Sequence, residues 1–563
     1  MVQINKRTLL EVLTAASEQF ANESFVSWVD GEPITYSQFK EKATTITKYL
    51  KDRGVKKGDR VAILSENQPN WSISYFAIVS MGAVAVPIMT EFHSSEVHHI
   101  LRHSESKAIF ISTKLYNKIE EFESDYLQSK ILIDDFSIIP PEIKTDFLKE
   151  IVHSGKKEFD KVRDAALKFV GVSTDEVLEE DTAAILYTSG TTGNSKGVIL
   201  THKNIVSDAI STLGIVTLDK DDRMLSILPL FHTMESTLGM VTPMLCGTKV
   251  FYLDKPPTAA ALLPAMAKVK PTVMIAVPLV IEKIFKLRIQ PQLTSKFVVR
   301  NMYKVPTVRK KLHKVAVKKL LQTFGNELRM FCLGGAALSA EVERFLKEGG
   351  FPYAVGYGLT ETSPLLTGTN PQGVRFRSAG KVIPEVQIEI REEDPNTGEG
   401  EIYAKGPMVM QGYYKDPEKT KEVLSDDGWF KTGDLGVMDK EGYLFIKGRS
   451  KNVIIGSNGK NIYPEIIESI INENPYVMEV LVHDRENKLI ARVFLNSEAI
   501  DQEFEIEKLN ETKTREIIDK ILVDILHEVN NRVSSFSKIH RVIEQAEPFE
   551  KTPTQKIKRY LYV

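Results

Sequence analysis

Short apolar runs that alternate with stretches of helical spacing constrain this chain more than any other feature. RVAIL (60–64), AVAVPI (83–88), AIFI (108–111) and AAILY (183–187) each have the length and residue types of a buried strand. YSQFKEKATTITKYL (36–50) and SSEVHHILRHS (94–104) carry the spacing of helices. The most apolar window, YFAIVSMGAVAVPI (75–88), is too short to span a bilayer and is broken by Gly82 and Pro87. It reads as a buried helix, a turn at Gly82 and a buried strand. Strands alternating with helices predict layered α/β architecture.

A chain of 563 residues exceeds what one hydrophobic core supports, so at least two domains are expected. The texture changes near residue 447. GYLFIKGRSKNVIIGSNGKNIYPEIIESII reads as strand, turn, strand, turn and helix. A strand pair about the turn at Arg485–Asn487, a helix over 511–532 and a strand at HRVIEQA follow, as in a compact α+β domain. Residues 137–180 are polar and helical in pattern, like an inserted excursion.

With 73 basic against 75 acidic residues there is no global charge to recruit nucleic acid. Two distant cysteines, Cys246 and Cys332, exclude a disulfide framework and fit a reducing compartment. The N-terminus reads as an amphipathic helix and lacks a signal-peptide core, so a cytoplasmic protein is expected. Residues 283–319 hold twelve Lys/Arg and no Asp/Glu, interleaved with Phe285, Leu287, Phe297 and Tyr303. That segment reads either as surface helices with a solvated basic face or as a basic amphipathic face for an anionic membrane.

The strand AAILY runs into YTSGTTGNSKG (187–197), a loop of glycines, hydroxyl side chains and one lysine. Such backbone can turn its N–H groups onto an anion, and Lys196 supplies a point charge. The kinase-type pattern G-x-x-x-x-G-K-[ST] fails here. Aligned on Gly190, Ser195 stands at the second glycine and Gly197 at the hydroxyl position. The loop is suited to phosphate but belongs to another fold.

YTSGTTGNSKGV resembles the signature of the AMP-forming adenylating superfamily, which includes acyl-CoA synthetases, luciferases and peptide-synthetase adenylation domains. Ser195 replaces the proline usual before the lysine. Further motifs follow in the family's order. LPLFHTMESTLGM (228–240) resembles the segment that puts an aromatic and a histidine, here His232, beside the acyl pocket. CLGGAALS (332–339) resembles the strand and turn along which adenine lies, with Gly334, Gly335 and Ala336 permitting close approach. In GYGLTET (356–362) the resemblance implies that Tyr357, between Gly356 and Gly358, packs on adenine, that the Thr360 hydroxyl meets phosphate and that Glu361 binds Mg²⁺. GEIYAKGPMVMQGYY (400–414) looks like a structural landmark with turn glycines and no chemistry.

The resemblance assigns Asp434 in WFKTGDLG and Arg449 in GRSKNVI to the ribose, and Lys451 to a hinge. Lys556 in KTPTQKIKR matches the lysine that spans the α-phosphate and the substrate carboxylate, and IIGSNGKN, with Gly459, matches a loop lining a pantetheine tunnel. Thr188, Ser189, Gly190, Thr191, Thr192 and Lys196 are implied to hold phosphate, with Thr188 beside Glu361 at the metal. The implied fold is α/β: a large N-terminal domain (1–447) of layered α/β subdomains, a hinge (448–452) and a small, mobile α+β C-terminal domain (453–563). The implied activity is ATP- and Mg²⁺-dependent activation of a carboxylic acid, closest to a long-chain fatty acid, followed by transfer to coenzyme A. Another acid, an acyl carrier protein as acceptor, or a non-catalytic nucleotide-binding regulator remain alternatives. Oligomeric state is not legible.

Overall fold

The computed structural model describes residues 1–140, 176–188, 195–294, 303, 305–456, 461–486, 488–506, 509–552 and 557–562. Most of the expected excursion at 137–180 therefore lies outside the described residues. A seven-stranded sheet runs in the order Gly412–Tyr413, Lys196–Thr201, Thr182–Thr188, Val84–Pro87, Arg60–Leu64, Ala108–Ile111 and Ser129–Leu132. A nine-stranded sheet has a parallel centre formed by Tyr353–Gly358, Met330–Leu333, Val273–Ala276, Arg223–Ser226, Lys249–Tyr252 and Ser24–Trp28.

The helix Pro69–Ser80 joins these layers. Trp71 and every residue from Ser72 to Ser80 are buried. A helix that is apolar all round must pack on more than one side. It lies against Arg60–Leu64 and Val84–Pro87 of one sheet and Ser24–Trp28 of the other. Gly82 then makes the turn at φ +73 and the strand Val84–Pro87 follows, as the apolar window predicts. The helix Tyr36–Asp52 starts at a capping box in which Thr35 and Gln38 satisfy each other's backbone N–H groups.

A four-stranded antiparallel sheet, Gln387–Arg391, Gly400–Lys405, Phe430–Met438 and Leu444–Arg449, leads toward the C-terminal part. One expectation changes here. Gly400 and Gly412 stand in strands rather than turns. A Cβ on Gly400 would sit 2.4 Å from the Arg391 carbonyl oxygen, so close strand approach selects glycine there. Asp434 lies mid-strand. Past the short 3₁₀ turn Ser450–Asn452, a three-stranded sheet and the helices Pro464–Ile471 and Glu511–Asn530 share a core of their own, including Ile467, Val480, Val482 and Ile525.

The basic segment forms helical pieces, Pro278–Ile284, Phe285–Ile289 with the wider π pitch, Gln290–Thr294 and Pro306–Thr323. Its charges do not all face water. Arg309 pairs with Glu348 at 2.7 Å, and His313 is buried against the same carboxylate. Among the described residues, no helix is long and apolar enough to cross a membrane.

Candidate active site

The residues singled out by motif collect in one cleft, with Gly334–Ala336 and Tyr357 at the C-terminal ends of parallel strands, the usual place for ligands in α/β sheets, and Asp434 and Arg449 on the antiparallel sheet. They line a cleft of 3210 Å³ closed on its far side by the C-terminal unit. Gly334, Gly335 and Ala336 follow the strand Met330–Leu333, and Gly335 takes φ +81. A Cβ on Gly358 would fall 1.7 Å from the backbone oxygen of Pro364, so no other residue fits there. Gly356 and Gly358 bracket Tyr357, whose hydroxyl donates to Asp434 Oδ2 at 2.7 Å. The second oxygen, Oδ1, takes Arg449 Nε at 2.8 Å, because Asp434 and Arg449 are register partners on neighbouring strands. Asp434 is buried. Burial, then the Asp434 charge, pushes the Tyr357 hydroxyl well above its ordinary pKa.

The phosphate side is set by a hairpin. Thr188 and Lys196 pair across the strands Thr182–Thr188 and Lys196–Thr201, so the glycine loop is their connection. Ser189, Gly190, Thr191 and Thr192 lie outside the described residues. The Lys196 ammonium sits 5.1 Å over the Tyr413 ring, and the Tyr413 hydroxyl donates to Glu361 Oε1 at 2.9 Å. Thr360 and Glu361 ride on the 3₁₀ turn Thr360–Thr362. Burial lowers the Lys196 pKa first. Lys419 and Lys451 lower it further, while Glu361 and Asp416 oppose them. Three ammonium groups thus converge on the side of the cleft that also holds Thr188 and Glu361.

On the third side, Asn67 clamps the segment that leads to His232. Its amide donates to Ser226 Oγ at 3.1 Å and to the Leu228 carbonyl at 2.6 Å, and its oxygen accepts the Leu230 N–H at 2.8 Å. His232 packs beside Phe231 at 4.5 Å between ring centres. Its carbonyl accepts the N–H groups of Glu235 and Ser236, starting the next helical turn. Glu235 is buried beneath it, its carboxyl pushed up to about 8 by loss of solvent. The cleft is also lined by apolar side chains, among them Ile215, Leu228, Leu238, Val273, Met330 and Leu365. Cys332 joins them, its thiol pushed up to about 12 by burial and so kept neutral.

Tyr357, Thr360, Glu361, Asp434, Arg449, Lys196, Thr188, His232 and Lys451 thus share one cleft. Lys556 and Gly459 lie outside the described residues, but Lys551, Ile557 and Arg559, on either side of Lys556, line the cleft. Sequence reasoning missed Asn67, Tyr413 and Lys419. Tyr413 stood in a motif read as having no chemistry. Asn67 and Lys419 sit in ordinary polar contexts, with no local signal.

Comparison with known proteins agrees with this arrangement. The long-chain-fatty-acid–CoA ligase of Bacillus subtilis is 30% identical over 505 residues, spanning 84% of this chain and 82% of that protein. The chloroplastic long-chain-fatty-acid–[acyl-carrier-protein] ligase AEE15 of Arabidopsis thaliana is 26% identical over 605 residues, spanning 94% of this chain and 81% of that protein. In architecture, the O-succinylbenzoate coenzyme A synthetase of Bacillus subtilis, in complex with ATP and magnesium ion, superposes with a TM-score of 0.72 at 22% identity, covering 100% of this chain and 99% of that one. Residues 13–414 match the AMP-binding enzyme family and residues 451–562 its C-terminal domain, so the chain belongs to that family of adenylating enzymes.

Proposed function

We propose that this chain is an ATP-dependent ligase that activates a fatty acid, long-chain by preference, as its acyl-adenylate and then passes the acyl group to coenzyme A. The observation that carries the reading is the continuity of the cleft. Apolar side chains, His232 and a set of cations with the Glu361 and Asp434 carboxylates, suited to a nucleoside triphosphate, line that one cleft.

The chemistry demands such a set. A carboxylate oxygen attacks the α-phosphorus, the bond to the β-phosphate oxygen breaks, and pyrophosphate leaves. Two anions must meet, so positive groups have to be in place before the reaction. In this reading Asp434 and Arg449 hold the ribose, and Tyr357 with the Gly334–Ala336 turn holds adenine. Lys196 and the 189–194 loop grip the outgoing phosphates, and Lys556 bridges the α-phosphate and the acid. The thiol sulfur then attacks the acyl carbonyl and AMP leaves.

Magnesium fits the donors available. Among the described residues no group of three or more His, Cys, Asp or Glu is placed to hold a metal alone. Mg²⁺ takes one or two carboxylates and completes its octahedron with phosphate oxygens and water. Glu361, kept in place by the Tyr413 hydroxyl, and the Thr188 hydroxyl would hold it. Bound there, the ion would neutralise phosphate charge.

Long-chain preference rests on the apolar walls and on the two fatty-acid ligases among the relatives. Membrane contact, for drawing an acid from a bilayer, is assigned to the exposed Leu287 and Val315 and the lysines around them, and sedimentation with anionic vesicles tests it. Pyrophosphate release with saturated acids from acetate to stearate, with and without coenzyme A, tests the whole reading. It predicts a rise toward the longer acids and turnover that requires the thiol. A short or aromatic acid as best substrate would overturn the chain-length assignment. Turnover with acyl carrier protein alone would overturn the acceptor, and no release with any acid would leave a nucleotide-binding regulator.

A further inference from the structure

Lys286 belongs to the basic segment, yet its ammonium points into the boundary between the large unit and the C-terminal unit. It donates to the carbonyl of Asn472 and, at 3.4 Å, to that of Val477. Asn472 directly follows the helix Pro464–Ile471. The last carbonyls of a helix lack intrahelical donors and form the negative end of its dipole, so a lysine is the favourable partner there. Both acceptors belong to the C-terminal unit, and the lysine belongs to the large one.

Acids from both units surround this contact. Glu282 lies one helical turn before Lys286, and Glu341 opens the helix Ala340–Gly349, accepting from Gln290 at 3.3 Å. From the other side comes Glu473, paired with Arg532 at 2.6 Å. The Glu341 carboxyl is pushed up to about 7, by burial first and by the Glu473 charge second, while Lys286 draws it back down. One carboxylate from each unit, Glu341 and Glu473, thus acts on the charge of the lysine.

The contact joins the two units in the orientation the structure shows. In the structure, Lys551, Ile557 and Arg559 line the same cleft as Lys196 and Asp434. Ile455, next to the 457–460 loop, is 73% exposed and lies outside the cleft lining.

We infer that Lys286 is a positioning residue that latches the C-terminal unit in the orientation serving adenylate formation, and that its release is part of the passage to thioester formation. The inference rests on the two-step reading given under Proposed function. Without Lys286 the helix end loses its cation and Glu341 and Glu473 lose its charge, so the latched orientation loses population.

The test uses the full-length chain with Lys286→Met and Glu341→Gln. Adenylate formation is read by ATP–pyrophosphate exchange with the best fatty acid of the panel. Thioester formation is read from supplied acyl-AMP and coenzyme A. Lys286→Met is expected to lower the ratio of the first rate to the second by about tenfold, the order of a lost charge-assisted hydrogen bond. The fall should lie in kcat rather than in KM for ATP. Glu341→Gln relieves the repulsion across the boundary and is expected to raise the ratio. Small-angle scattering without substrates should show a larger radius of gyration for Lys286→Met than for the unaltered chain. An unchanged ratio and radius, or both rates falling together in both variants, would overturn the latch. An unaltered enzyme that exchanged no pyrophosphate would overturn the ligase reading instead, and the scattering comparison would still decide the latch.

Discussion

On the large-unit side of the cleft, functional side chains are fixed by neighbours on the same unit. Across the cleft, the described attachments of the C-terminal unit include polar contacts. Asp434 is locked between Tyr357 and Arg449 by strand register, and Glu361 by Tyr413. Asn67 makes three hydrogen bonds to the segment before His232. The opposing unit has its own core, and its attachments include Lys286 at the helix end and Tyr463 donating to Glu399 at 2.7 Å. Binding needs a preorganised wall, because donors that are already in place cost no reorganisation when charge develops. A two-step reaction on one nucleotide needs the other wall to move, and weak, polar contacts between units allow that.

The contrast can be broken from either side. The largest effect is expected at Gly358. Gly358→Ala drives a Cβ into the Pro364 backbone and should cost about 4 kcal/mol of stability, as severe core clashes do, with loss of ATP protection in a thermal melt. An alanine variant that melted like the parent would mean that the wall is softer than described. On the moving side, Lys451→Pro fixes φ and removes an N–H in the turn Ser450–Asn452. Adenylate formation should survive while overall turnover to the thioester falls by about tenfold or more, the order of a rate limited by a conformational step. Full turnover in that variant would remove Lys451 from the hinge.

A smaller, pH-dependent effect sharpens the account of the fixed wall. Burial pushes the Glu235 carboxyl up to about 8 from an ordinary 4.5, so the folded chain keeps it protonated where the unfolded chain ionises it. Folding stability is then full below the ordinary value and erodes as pH rises toward 8, by at most about 1.4 kcal/mol per pH unit. Glu235→Gln removes that slope. The melting temperature of the variant should gain on the parent between pH 5 and pH 8. A difference that stays constant over that range would show that Glu235 is not held neutral.

The sequence alone carried much of the fixed wall. The periodicity of Tyr75–Ile88 specified helix, turn and strand because each pattern is local. The glycines at 334, 335 and 358 were legible because close approach and positive φ leave a residue-type signature. What was not legible depends on distant partners. Lys286 reads as one lysine among many, since its acceptor is 186 positions away. Tyr413 sits 52 positions from Glu361, inside a motif whose glycines looked like turns. The pairing of Asp434 with Arg449 came from the register of two strands, which no local pattern carries.

The central claim is that one cleft serves two half-reactions through two walls, and that Lys556 on the C-terminal unit acts in the first only. Lys556→Ala tests it most directly, with both halves measured on the same preparation. The account predicts that ATP–pyrophosphate exchange falls by about 10²–10³, the order for removing a preorganised charge from a transition state, while acyl transfer from supplied acyl-AMP to coenzyme A stays within about twofold of the parent. An equal loss of both rates would contradict it.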